Sequence, residues 1–245
     1  MAKQEKNDRQ AKLDAIRKQQ KSAARRGNVM IIGVASALAL LIIVAAAWKP
    51  VTDSIDRKKF SSKDFASIGA KADVCGEVIT REDGDEGVSN HVEPGTPIDY
   101  PDAPPAYGQH FSSWDTNFDR KFYSDDRPDL GYLVHNLEHG YTVLWYDETI
   151  AGDADKLATV KGLAAKFDGN SMRNKFKAVP WTKADGEAFP KDQHVAFTHW
   201  SKGGQDNTDI KTVGVWQYCS EPSGAALEKF MKDYPYMDSP EPEAG

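Results

Sequence analysis

From Gly27 to Trp48 the chain runs for 22 residues without an ionisable side chain, and Ile, Leu, Val and Ala dominate the run. As a helix this stretch is about 33 Å long, enough to cross the hydrocarbon core of a bilayer. Arg25 and Arg26 precede it, and the segment after it is mixed and then acidic. The positive-inside rule therefore places the N-terminus in the cytoplasm and the remainder outside. Trp48 and Lys49 read as an interfacial anchor. A cleaved signal peptide is the rival, with Ala45-Ala46-Ala47 as its cleavage site. The apolar run exceeds the usual signal core and the basic stretch before it is long, so an uncleaved anchor is favoured. No cysteine closely follows the span, so lipoprotein processing is not indicated.

The 245 residues suffice for one ordinary domain plus this appendage. Net charge is −6, but it is unevenly spread. Residues 1–28 hold nine Lys/Arg against three Asp/Glu, about +6, which leaves about −12 for the rest. A body that acidic lacks the basic face a nucleic-acid binder needs. The basic segment suits a topology signal that also touches anionic lipid headgroups. The two cysteines, Cys75 and Cys219, both lie beyond the span. In an oxidising compartment an even pair favours one disulfide.

The expected organisation is a basic cytoplasmic segment (1–26), a transmembrane helix (27–48), a tether with a short helix (49–72), one extracytoplasmic α+β domain (73–236) and a disordered Pro/Glu tail (237–245). Residues 80–93 are acidic and read as a surface loop. Pro94, Pro97, Pro101, Pro104 and Pro105 forbid a helix over 93–108 and suit an extended, wrapped segment. Leu133 to His139 makes two helical turns, with Gly140 placed to cap them. Strands are expected at Tyr141–Tyr146, Phe176–Trp181, His194–Trp200 and Lys211–Tyr218. Helices are expected at 153–167, capped by Asp153, and at 223–234. This order predicts helices packed on a mostly antiparallel sheet.

The chemistry concentrates in one box, Val134-His135-Asn136-Leu137-Glu138-His139-Gly140. In a helix, His135 and His139 stand one turn apart on one face, able to share a metal ion. In an extended chain they would be about 13 Å apart. His110 follows a Pro/Gly turn that can fold its ring towards them. His199 shares a strand face with Val195 and Phe197 and points inward, making it a fourth candidate. Three or four imidazoles outside a membrane suit zinc or copper. Glu138 fits a supporting role, accepting a ring N–H of a ligating histidine. Formally, His135-x-x-Glu138-His139 is also the H-x-x-E-H pattern of inverzincin peptidases. Such a helix normally continues past its second histidine, whereas Gly140 and a strand follow here. His91 and His194 have no such context and read as ordinary surface or strand residues. No nucleophile elbow, P-loop, dinucleotide fingerprint or C-x-x-C motif is present.

Pro104-Pro105-Ala-Tyr-Gly-Gln-His110, the box from Leu133 to Gly140, the strand Val143-Leu-Trp-Tyr-Asp147 and the late strand with His199 resemble the bacterial family filed as domain of unknown function 3105. The resemblance covers roughly residues 70–235. Ala106-Tyr107 stands where that family commonly has Thr-Ser, and the histidine is kept. The resemblance implies a membrane-anchored extracytoplasmic protein of actinobacteria and their relatives, with no assigned activity. By analogy, accessory subunits of respiratory membrane complexes are one candidate setting. The expected function is a non-enzymatic accessory or binding protein with its metal at His110, His135, His139 and His199. A metal-dependent hydrolase using Glu138 and an apo structural domain remain as alternatives.

Overall fold

The computed structural model describes residues 2–82, 90–204 and 212–244. The chain divides into two compact units, one up to Ser54 and one from Ile55 onward. The first belongs to α1 (Ala2–Ser61), a helix of 60 residues. Within it, Val29–Trp48 is long and apolar enough to cross a membrane, with a mean hydropathy of 2.9, and it lies near the N-terminus. The tether expected from residue 49 is helical up to Ser61.

The second unit is built on a five-stranded sheet. Its strands are β1 (Ile79–Glu82), β4 (Thr142–Tyr146), β5 (Phe176–Pro180), β6 (Val195–Ser201) and β7 (Val213–Cys219), in the spatial order β1-β7-β6-β4-β5. Only the β4–β5 pairing is parallel, so the sheet is mostly antiparallel. The acidic loop expected at 80–93 gives way to β1 at its start, and residues 83–89 lie outside the described residues, as does Lys211.

Side-chain alternation along β4 explains the layering. Leu144 and Tyr146 join Phe176, Val195, Phe197 and Val215 on one face. Val143 and Trp145 point to the other, with Val179, Ala196 and Trp200. The first face is covered by α4 (Ala154–Ala164) and α5 (Gly224–Asp233), through Leu163 and Phe230 among others. The second is covered by α2 (Leu130–Glu138), through Leu133, Val134 and Leu137. All five residues of β4 are buried as a result. Fully burying each such side chain contributes about 1.5–3 kcal/mol.

Local signals set the helix ends. The Asp153 side chain accepts from the N–H of Asp155 and Lys156 at the start of α4. Asp147 does the same for the single turn α3 (Glu148–Ala151), and Ser223 caps α5. Gly140 closes α2 with a φ of 90°. Its N–H donates to Leu137 O and the next, of Tyr141, to Asn136 O, both at 3.0 Å. That is a Schellman pair, which requires a left-handed residue where glycine stands.

Cys75 and Cys219 form a disulfide across 144 residues. It ties the segment before β1 to the end of β7. The Pro-rich segment carries no regular structure from 93 to 109. It is pinned to the sheet where the Trp216 indole N–H donates to Pro104 O (2.7 Å) and the Tyr218 hydroxyl to Ala103 O (2.9 Å). Beyond α5, the tail expected to be disordered packs against the domain instead. Asp238 and Ser239 are buried, and the Lys175 ammonium donates to Pro242 O and Ala244 O.

Candidate metal centre

Two short strands deliver the first half of the site. β2 (His91–Val92) and β3 (His110–Phe111) form a two-residue parallel ladder in which His91 pairs with His110. Their rings meet edge to face with centroids 4.5 Å apart. The second half comes from α2. It approaches β3 closely because Gly131 has no side chain: a Cβ there would sit 2.7 Å from the Phe111 ring. The last helical turn then aims His135 and Glu138 at the two strand histidines, with His139 one residue beyond. The helical spacing expected for the box is what the chain adopts.

Four residues converge: His91, His110, His135 and Glu138 each offer a ligand atom, all within 4.8 Å of one another. Around Glu138 Oε2 stand His110 Nε2 at 3.0 Å, His91 Nε2 at 3.6 Å and His135 Nε2 at 4.0 Å. A tetrahedral zinc site, with Zn–N of about 2.0–2.1 Å, spaces its donors by about 3.3 Å. The cluster is therefore close to ligand spacing. His110, His135 and Glu138 are buried, and His91, with its side chain 35% exposed, is the member that meets solvent.

The backbone fixes the tautomers. Nδ1–H of His110 donates to Gly108 O at 2.7 Å, and Nδ1–H of His135 to Phe111 O at 2.6 Å. In the neutral rings both Nε2 lone pairs are left facing the cluster. This is how ligating histidines are commonly held: one nitrogen on a backbone carbonyl, the other free for a metal. It also sets the His110 lone pair against a carboxylate oxygen at 3.0 Å, acceptor to acceptor. Such a contact calls for a cation, a proton or a metal ion, between the two atoms. The other oxygen of the same carboxylate, Glu138 Oε1, is buried without a hydrogen-bond partner among the described residues.

His139 stands beside this group. Its Nε2 lies 3.0 Å from His135 Nε2 and 3.6 Å from Glu241 Oε2 of the tail. Together with Glu138 and Glu241 it makes a second set of three candidate ligands. Its Nδ1 is buried and without a partner among the described residues. Burial lowers the His139 imidazole to about 4, with the neighbouring His135 adding to the effect. Burial also lowers His135, against the opposing pull of the Phe111 carbonyl. Both are thus held in the neutral form that binds metal.

The surroundings are closely packed. Trp114 lies over His139 and His135, at centroid distances of 4.9 and 5.5 Å, and Trp200 packs edge-on to His110 at 5.6 Å. The Asn136 side chain fixes the segment that carries Trp114: its Oδ1 accepts from Asp115 N–H and its Nδ2 donates to Asp115 O. The Asp115 carboxylate in turn accepts from Lys177 Nζ at 2.7 Å and from the Tyr123 hydroxyl.

Four sequence expectations change. His199 does not join the cluster. Period-2 alternation sends it to the sheet face of Val195 and Phe197, opposite the face of Trp200 and α2. There its ring nitrogens face Asp238 O at 2.8 Å and Tyr141 O at 3.3 Å, and burial lowers the imidazole. His91, read as an ordinary surface residue, takes a place among the candidate ligands. Only the long-range pairing with His110 reveals it, and no local pattern announces such a ladder. Glu138 sits among the candidate ligands themselves. Glu241, read as part of a disordered tail, faces His139. His194 stays outside the site, 2.8 Å from Asp147 Oδ2.

The fold and cluster together define a mixed α and β domain on a mostly antiparallel sheet, with a buried His/Glu group able to hold a metal ion. The family model described as "Protein of unknown function (DUF3105)" matches residues 91–245. The chain belongs to that family, and the match takes in every residue of the cluster. No curated protein and no solved structure gives a match to the chain.

Proposed function

We propose that this protein is a membrane-anchored, extracytoplasmic metal-binding protein that works as a non-enzymatic accessory subunit. The observation that carries the metal reading is the locked pair of rings. His110 and His135 both spend Nδ1–H on backbone carbonyls and turn Nε2 towards a buried carboxylate. The donor set of three imidazoles and one carboxylate suits zinc or copper(II) better than calcium or magnesium, which prefer all-oxygen shells.

Val29–Trp48 and the arginines ahead of it, Arg25 and Arg26, support an anchor with the domain on the outer side. The disulfide supports the same side, because such bonds persist in oxidising compartments. An anchor of this kind suits a partner in the same membrane, and a respiratory complex is one candidate. Co-purification in mild detergent tests the partner; recovery of the protein alone would count against it.

The hydrolase alternative needs Glu138 as a base acting on a metal-bound water. Its Oε2 instead lies 3.0–4.0 Å from three imidazole nitrogens, close to the spacing of donors around one ion, which supports a metal-holding role. The deciding measurement is elemental analysis of the full-length chain purified in mild detergent, before and after exposure to Zn2+ or Cu2+. Near-stoichiometric metal is expected. Less than about 0.2 equivalents of any transition metal in both states would sink the reading.

A further inference from the structure

We propose that the centre is built for two ions, with Glu138 as the carboxylate they share and Glu241 of the C-terminal tail as a ligand to the second. The proposal rests on the metal-binding reading and adds a position to it. The first position is His91, His110 and His135 with Glu138. The second is Glu138, His139 and Glu241.

The second set is more than a chance meeting of charged side chains. Glu138 and His139 are both buried; the carboxylate carries an oxygen, Oε1, without a hydrogen-bond partner among the described residues, and His139 turns Nε2 towards Glu241 Oε2 at 3.6 Å. One Glu138 oxygen already faces the first position through His110 at 3.0 Å. A carboxylate has two oxygens and can bind an ion at each, the arrangement that paired-metal sites commonly use, with ions about 3.5–4 Å apart. His135 Nε2 and His139 Nε2 lie 3.0 Å apart. Two neutral imidazoles can share that contact only if one donates a proton to the other. Two ions, one on each ring, would part them.

Glu241 is held in place by the backbone around it. Its N–H donates to Glu138 O at 3.0 Å, so the tail is fastened to the end of α2 beside the very carboxylate in question. The buried Lys175 ammonium draws His139 O, Pro242 O and Ala244 O together, at 2.7, 2.9 and 2.6 Å. Gly140 lets the tail come this close: a Cβ there would stand 2.4 Å from Tyr236 O. Glu241 is itself half-exposed, its side chain 51% accessible, so the second position opens to solvent where water can complete the shell. An oxygen-richer, open position beside a nitrogen-rich, buried one predicts a weaker second ion.

The test uses the full-length chain in mild detergent, stripped with a chelator, loaded with Zn2+ and freed of excess metal by gel filtration. Two zinc ions per chain are expected in the wild type and one in Glu241→Gln, whose exposed side chain leaves the fold intact by circular dichroism. Loading with Cu2+ gives a second readout, a spin-coupled resonance in the wild type and an isolated one in the variant. One ion per wild-type chain would overturn the second position and leave the metal-binding reading standing. Two ions retained in Glu241→Gln would also overturn it, because the second ion would then lie elsewhere. No zinc at all would remove the metal-binding reading, and this proposal with it.

Discussion

His91 and His110, nineteen positions apart in sequence, lie opposite each other across a two-residue parallel ladder with ring centroids 4.5 Å apart. This ladder makes the candidate metal position a property of the fold rather than of one motif. His91 is its most exposed candidate ligand. His91→Ala is therefore expected to weaken zinc binding by about tenfold or more while leaving domain stability nearly unchanged. Competition with a chromogenic chelator, alongside a thermal melt without metal, checks both halves. Unchanged affinity would exclude His91 from the site.

Glu138→Gln keeps the side chain's shape and removes its charge. A metal that binds only the folded chain stabilises it by about 2.7 kcal/mol at a concentration one hundred times its Kd. The wild type should show a matching rise in Tm on adding Zn2+, and Glu138→Gln should lose most of it. A full rise in the variant would mean that the carboxylate does not hold the ion.

Asn136 holds the Asp115 backbone through two side-chain hydrogen bonds, and it is fully buried. Asn136→Ala removes both and leaves the Asp115 amide without that partner. A loss of about 1–3 kcal/mol is expected in urea denaturation. With Trp114 no longer fixed over the rings, its fluorescence should shift to longer wavelength. A stability change under about 0.5 kcal/mol would show the contact to be dispensable.

The disulfide closes a loop spanning 144 residues. Cys75→Ser with Cys219→Ser is expected to lower stability by about 2–5 kcal/mol, and reduction of the wild type should reproduce the loss. Denaturant midpoints that do not move would refute the role of this bridge in stability.

Burial lowers the Lys121 ammonium from 10.5 to about 8, with Lys177 nearby adding to the effect. The folded chain thus releases this proton earlier than the unfolded chain. Between those two values the unfolded state binds more protons, so the Lys121 contribution to stability rises with pH. It is lost as pH falls through about 8. The stability difference between wild type and Lys121→Met should move in the wild type's favour from about pH 7 to about pH 10. A difference independent of pH would refute the shift.

The parts of this molecule governed by local rules are legible in its sequence. Leu133 to His139 announces a helix, Gly140 its end, and the β-branched and aromatic run after it a strand. Asp153 and Ser223 mark helix starts that the structure keeps. What local rules miss depends on distance along the chain. His91 joins the ligands through a ladder with a strand beyond five prolines. His199 points inward, as its alternation with Val195 and Phe197 implies, but a sheet has two inner faces here and the sequence does not say which one α2 covers. The tail is rich in Pro and Glu, a composition typical of disorder, yet it is held by main-chain groups: the carbonyls of Pro242 and Ala244 on Lys175, and the N–H of Glu241 on Glu138. Composition carries no trace of such bonds.

The two carbonyls that fix His110 and His135 also decide how an ion would arrive. Gly108 O and Phe111 O orient both rings through the main chain. The orientation of these two rings is then expected to outlast removal of an ion, unlike in small zinc domains that fold only around it. Stripping the metal should leave a folded, reloadable domain. Capture becomes a matter of the ion shedding its own water at the His91 edge, a rate that differs among metals far more than among variants of the protein.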